Sequence, residues 1–415
     1  MQTHLTGHRL IRRGCAIACL LLAPVFAQAA AAQVARPDTS AACQRWPRWE
    51  AFKAQFISPD GRVIDVGSAD TRTVSEGQSY GLFFALVADD KPAFEKLLNW
   101  TQEHLADGDL TGHLPSWLWG QKENGGWGVL DSNSASDADL WIAYSLLQAG
   151  RQWHERRYTA LGALLARRIL QEETALLPGL GQTVLPAPTG FRNGANTWRL
   201  NPSYVPLQVL QGLAAALPDQ PRWKQMRTPA LRLITETAVH GFGPDWTQFE
   251  ASVSPADGKA AGRPAAFTRD ADTASTGSYD AIRIYLWAGM LASADPARAQ
   301  LLKTFQPMAD YIGEHGYPPE KVDTGNTGNG RFGPNAGPSG FSAAVIPLLD
   351  ALNRPALVDS QLVRIRDLEQ QAPIGYFSQV LTLFGTGWRE GRYRFSADGS
   401  LRPAWSETCS TGGLR

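Results

Sequence analysis

The sequence predicts an all-α protein, an (α/α)6 toroid in which paired helices surround a core and the loops at one end form a cleft. Three observations lead there. Twelve stretches carry helix signals, at about 46–57, 76–89, 91–106, 136–149, 154–172, 203–217, 222–238, 280–292, 297–314, 341–352, 355–370 and 375–388. Most of them come in pairs with short connections, as stacked αα-hairpins do. Long alternating strand patterns are scarce, and Gly-, Pro- and Asn-rich loops separate the helices.

In chain order, Arg9, Arg12 and Arg13 precede an apolar run from Cys15 to Phe26 that is too short for a comfortable membrane span. Ala27-Gln28-Ala29 then offers a small-x-small cleavage pattern. The expectation is a secretory leader over 1–29, a flexible segment over 30–42, one folded domain over 43–409 and a tail over 410–415. Export then places the protein in the periplasm, and the mature chain has no membrane span. Cys43 and Cys409 remain after cleavage, one near each end, and an oxidising compartment lets them pair. Ser75 stands before the apolar run Leu82 to Val87 and is placed to cap that helix. Ser134 or Ser136 is placed to cap the next inner candidate, where Ile142, Leu146, Ala149 and Trp153 repeat at helical spacing. Residues 251–277 and 323–340 read as loops, and Tyr393 to Trp405 as a hairpin around Asp398-Gly399 that closes the domain as a small β-ribbon, so the few strands fall near the cleft and the C-terminus.

Charge narrows the function. The 415 residues carry 39 basic and 39 acidic side chains, with no Lys/Arg run, which argues against nucleic acid as a partner. No phosphate-cradling glycine motif occurs, and the seven His show no H-E-x-x-H spacing, so neither a metal nor an organic cofactor is expected. Fourteen Trp against four Met suit a protein that stacks flat rings on sugar faces. Trp117, Trp119, Trp127, Trp198, Tyr204, Trp246 and Tyr279 are the aromatic candidates, the loop-borne ones foremost. Asn201, in Asn201-Pro202-Ser203-Tyr204, joins them as a polar sugar contact.

Carboxylates at helix starts are the candidate chemistry. Glycoside hydrolysis uses one carboxyl to protonate the leaving oxygen and a second to activate water or attack the sugar. Glu76 lies in SEGQSYG, where Gly77 lets a ligand approach the backbone. Asp280 lies in GSYDAIR, with Arg283 three residues on to pair with it and keep it ionised. Asp137 and Asp139 stand two apart in ASDAD. Two helical positions are about 200° of rotation apart, so at most one of that pair faces a shared cleft.

The string Ala135-Ser136-Asp137-Ala138-Asp139, followed by Ile142, Ala143, Ser145, Ala149 and Trp153, resembles the signature of glycoside hydrolase family 8. SEGQSYGLFFALVADD, LPSWLWGQKEN, RLNPSYVP, GSYDAIRIYLW, HGYPPEKVD and GPSGFSAA extend the resemblance from about Trp46 to Trp405. They are most similar to members that accompany bacterial cellulose synthase. The resemblance implies an (α/α)6 barrel that hydrolyses β-1,4-glycans with inversion. It implies Glu76 as general acid, Asp280 as general base and Asp137 as the carboxylate that orients the sugar (the nucleophile in an older assignment), with Arg283 orienting Asp280. The implied partners are cellulose chains and the synthase and export components. Xylan or chitosan is the nearest alternative substrate. A uronate lyase would want a basic cleft, and a non-catalytic glycan-binding component would have no need of Glu76 and Asp280.

Overall fold

The structure is a computed structural model that describes residues 44–407 apart from 69, 253–262, 326–327 and 329–330. The expected leader and flexible segment, the Cys43–Cys409 pairing and the tail therefore lie outside the described residues.

Six helices line the inside of the toroid: α2 (Ser75–Val87), α4 (Ser136–Gln152), α6 (Leu207–Ala216), α9 (Ile282–Met290), α11 (Ser339–Ala351) and α13 (Tyr376–Arg389). Their sequences are apolar or small around most of the circumference, as in SEGQSYGLFFALV and SGFSAAVIPLLDA, so they can only be stable when buried on all sides. The outer helices are α1 (Pro47–Phe56), α3 (Lys91–Leu105), α5 (Arg156–Glu172), α8 (Arg227–Thr237), α10 (Arg298–His315) and α12 (Pro355–Gln371). They read differently. In α3 the buried Phe94, Leu97, Leu98, Thr101 and Leu105 follow the helical period, while the intervening charged residues face water. Asp90 caps α3 by accepting from Ala93 N at 3.1 Å, with Pro92 in the first turn. A short α7 (Pro221–Gln225) links α6 to α8. All twelve stretches read from the sequence correspond to helices, with α1 supplying the outer partner of α13 across the two ends of the chain.

The ring closes on aromatic side chains. The Phe384 ring of α13 lies 4.6 Å from Phe84 and 5.4 Å from Phe83 on α2, 5.6 Å from Trp141 on α4 and 5.2 Å from Trp287 on α9. Contacts of this kind contribute roughly 0.5–1.5 kcal/mol each beyond their area, and here one residue ties four inner helices to the axis. Elsewhere the inner helices touch by backbone. A Cβ added at Gly385 would stand 1.9 Å from Ala343 O, and one at Gly289 2.2 Å from Leu348 N, so only glycine fits where α13 and α9 cross α11.

The described strands form five small antiparallel sheets. Four of them lie beside the N-terminal ends of inner helices. β1 (Thr73–Val74) leads into α2 and joins β2 (Leu118–Gln121) and β3 (Trp127–Asp131). β4 (Thr174–Leu177) pairs with β5 (Gly181–Val184), and β6 (Thr197–Leu200), β7 (Thr247–Glu250) and β8 (Ala266–Arg269) form another sheet. β9 (Thr276–Gly277) pairs with β10 (Val322–Asp323) just ahead of α9. The stretch 251–277, read as loop, thus holds two strands, because short pairings with β7 and β10 order residues whose own composition favours turns. The fifth sheet, β11 (Tyr393–Phe395) with β12 (Leu401–Pro403), is the expected C-terminal ribbon. It closes the opposite end. Tyr144 of α4 donates to Gly399 O at 2.7 Å, and Trp405, on the final short helix α14 (Ala404–Glu407), donates to Leu86 O at 3.0 Å. No helix among the described residues is long and apolar enough to cross a membrane.

Candidate active site

The sheet-lined end of the barrel gathers the N-termini of α2, α4 and α9, and with them the three carboxylates singled out in the sequence. Arg283 is the hub. Its Nη1 donates to Glu76 Oε2, to Asp137 Oδ2 at 2.9 Å and to Tyr80 OH at 3.2 Å, and its Nη2 donates to Asp280 Oδ1 at 2.6 Å. The Asp280–Arg283 pair is the i, i+3 contact read from the sequence. Arg283 is 2 % exposed and Asp137 5 %, whereas Glu76 keeps 18 % and Asp280 30 % of the side chain open. Glu76 and Asp280 are therefore the more open carboxylates of the trio, and Asp137 lies at its floor.

Three carboxyl groups on one guanidinium leave an excess of negative charge, which the site relieves by holding a proton. Burial pushes Glu76 up to about 7 against the pull of Arg283, and Asp137 and Asp280 push it the same way. Burial also raises Asp137, although Arg283 and a hydrogen bond from Ala138 N to its Oδ1 at 2.8 Å oppose the shift. Tyr376 donates to Glu76 Oε1 at 3.3 Å, so each oxygen of that carboxyl has a partner on a different helix. Tyr204 sets its ring 5.5 Å from the Arg283 guanidinium. Asn201 positions it, accepting from Ser203 N at 2.9 Å and Ser203 Oγ at 2.8 Å to cap the 3-10 turn Pro202–Tyr204.

Asp137 and Asp139 separate as helical geometry requires, Asp137 to Arg283 and Asp139 away from it into the wall. The expected caps do not form. α2 begins at Ser75 and α4 at Ser136, which leaves Val74 and Ala135 at the cap positions, and neither has a side-chain acceptor. Ser75 N donates to Trp117 O at 2.9 Å and Ser136 N to Pro186 O at 2.9 Å, so neighbouring loops satisfy the first amide of each helix.

The aromatic candidates divide. Tyr204 and Trp246 are half-buried with ring centroids 5.7 Å apart, and Phe191 stacks on Trp246 at 5.6 Å, so a strip of rings runs outward from Arg283. Tyr279 is 45 % exposed beside Asp280, its hydroxyl donating to Glu320 Oε1 at 3.0 Å. Trp117 is half-buried, and its carbonyl receives the first amide of α2. Trp119 and Trp198 are buried: Trp119 packs against Trp100, and the Arg192 guanidinium lies 5.4 Å from the Trp198 ring. Trp127, stacked on Trp119 at 5.2 Å, is the exposed ring of that hairpin.

Three site residues escaped the sequence reading. Tyr80 sits one turn after Glu76 on the same face of α2, so its i+4 spacing was a usable signal. Tyr376 is 300 positions from Glu76 and carries no local cue. Asp245 accepts from Ser278 N at 2.8 Å and Ala281 N at 2.7 Å, bracketing the turn that presents Asp280; burial raises it to about 6, and the Asp280 charge adds to the shift.

A sequence model of the glycosyl hydrolases family 8 matches residues 21–391. The chain belongs to glycosyl hydrolase family 8. Among its relatives, the endoglucanase of Escherichia coli (strain K12) is 46 % identical over 375 residues, which cover 90 % of this chain and 95 % of that protein. The endoglucanase of Xanthomonas axonopodis pv. citri (strain 306) is 44 % identical over 403 residues, 97 % of this chain and 98 % of its own. The crystal structure of endo-1,4-D-glucanase from Vibrio fischeri ES114 superposes with a TM-score of 0.79 at 44 % identity, covering 87 % of this chain and 99 % of that one. The (α/α)6 barrel of this family 8 protein and its standing as a glycoside hydrolase agree with the resemblance carried by the ASDAD and SEGQSYG segments.

Proposed function

We propose that this family 8 hydrolase is an endo-β-1,4-glucanase that cleaves cellulose chains with inversion. The observation that carries the reading is the Arg283-centred trio, in which one carboxyl, Glu76, is held near neutrality while Asp280 stands open to the cleft. Glu76, protonated, gives its proton to the glycosidic oxygen as the bond breaks. Asp280, open to the cleft, takes a proton from the water that attacks the opposite face of the sugar. Asp137, deeper and shared with Arg283, hydrogen-bonds the sugar at the cleavage point and favours its distortion toward the transition state. No covalent intermediate is needed, so none of the three acts as a nucleophile. Tyr204 and Phe191 offer ring surface to a glucan chain, with Trp246 between them held under the Arg199 guanidinium at 4.2 Å, and Tyr279 offers a face beside Asp280.

The substrate reading rests on relatives named as endoglucanases at 44–47 % identity over most of the chain. The leader pattern over 1–29 supports a periplasmic site of action, and similarity to members that accompany cellulose synthase supports trimming of nascent chains during export. The test is viscosity loss on soluble carboxymethylcellulose, run beside xylan and chitosan. A rapid fall on the cellulose derivative alone is expected. Faster cleavage of xylan or chitosan would keep the machinery and overturn the substrate.

A further inference from the structure

Behind Asp137, in the wall of the barrel, two more carboxyl groups face each other. Asp139 lies on α4 and Glu173 directly after α5, and both side chains are fully buried. They lie within hydrogen-bonding reach of one another. Ser134 Oγ donates to Glu173 Oε1 at 2.5 Å. The remaining oxygens, Asp139 Oδ1 and Oδ2 and Glu173 Oε2, are buried and meet no protein N–H or O–H. The charged groups that act most strongly on the pair bring no compensating cation. Asp137 on the same helix and Glu172 at the end of α5 are both acidic, and Glu172 is itself paired with Arg168 at 2.5 Å. Two bare carboxylates in such a place are untenable, because like charges at contact in a low-dielectric interior cannot both ionise. A carboxyl proton supplies the donor that the orphaned oxygens lack.

We propose that Asp139 and Glu173 share a single proton in the folded protein, and that this acid–carboxylate pair clamps the turn carrying Asp137 to the end of α5. The surrounding backbone fits a clamp. Glu173 O accepts from Leu185 N at 2.7 Å and Pro186 O from Ser136 N at 2.9 Å, so the pair closes a stitched corner between α4, α5 and the strand β5. Asp139 carries the proton and Glu173, already bonded by Ser134, receives it. Both are positioning residues, since neither reaches the cleft. The clamp stands apart from the roles given to Glu76 and Asp280.

The consequence is a dependence of stability on pH. Burial, first of all, holds the proton of this pair well above the ordinary carboxylate range. The shared proton contributes stability that is fully present below the unfolded carboxyl value, about 4, and is lost as pH rises toward and through the raised value of the folded pair. The test compares the full-length wild type with Asp139→Asn and Glu173→Gln by calorimetric unfolding in buffers of different ionisation enthalpy. The wild type is expected to release about one proton more on unfolding at pH 7 than Asp139→Asn does, and its melting temperature to fall more steeply between pH 5 and 8. Asp139→Ala is expected to lower kcat, with Asp139→Asn restoring much of the loss because the amide donates to Glu173 where the proton did. Equal proton release in wild type and Asp139→Asn would overturn the proposal. So would the failure of both amide variants to fold, since each supplies covalently the donor that the shared proton provides.

Discussion

Glu76→Gln is expected to lower kcat on soluble β-1,4-glucan by on the order of 10²–10⁴-fold, with KM changed by no more than a few-fold. The amide keeps the size of the carboxyl, its oxygen accepts from Arg283 and its NH2 donates to the Tyr376 hydroxyl, but it has no acidic proton to give the leaving oxygen. The wild-type pH profile follows from the same group. With Glu76 at about 7, the protonated fraction falls as pH rises through that value, so kcat/KM declines on the alkaline side. Below it the acid keeps its proton, and kcat/KM gains nothing further from that group. Steady-state rates from pH 4 to 9 check both statements. An alkaline limb that starts well above pH 8 would assign the proton donor to another group.

Arg283→Met should be the most damaging change to the fold within the site. The guanidinium is buried and donates to Glu76, Asp137, Asp280 and Tyr80, which belong to α2, α4 and the entry to α9. Removing one partner of a buried ion pair leaves uncompensated charge and typically costs about 3–5 kcal/mol. Part of that is recovered as Glu76 and Asp137 take up protons, so the loss should be larger at alkaline than at mildly acid pH. Arg283→Lys should not rescue activity, because one ammonium cannot present two nitrogens in a plane to Glu76 and Asp280. Denaturant midpoints at pH 5 and 8 measure the first effect and turnover measures the second. Wild-type stability in the Met variant would mean that the trio does not depend on its cation.

The sequence carried much of this because much of it is local. Inner helices are legible from runs such as Leu82 to Val87, which have no polar face, and outer ones from the period of α3. Asp280 and Arg283 meet at i, i+3 on one turn, and Asp137 and Asp139 must diverge on another, so both relations follow from 3.6 residues per turn. What lay beyond reach depends on chain closure. Tyr376 reaches Glu76 only because α13 comes round beside α2, and Asp245 supports Asp280 from a loop 33 residues before Ser278. Trp119 and Trp198 share their residue type and strand setting with better-placed rings, yet burial against Trp100 and beneath Arg192 takes their faces. The Ser75, Ser134 and Ser136 caps failed because pairing with distant loops starts the helices at Ser75 and Ser136 themselves, with Val74 and Ala135 at the cap positions, while Ser134 bonds Glu173.

The division of labour between Glu76 and Asp280 is tested most directly by the anomeric form of the first product. Proton NMR during early cleavage of a cello-oligosaccharide reads it before mutarotation mixes the forms. Water delivered by Asp280 to the face opposite the bond protonated by Glu76 yields the α-anomer first. Initial appearance of the β-anomer would mean a carboxylate attacks the sugar itself, and the roles assigned to Asp280 and Asp137 would have to be redrawn.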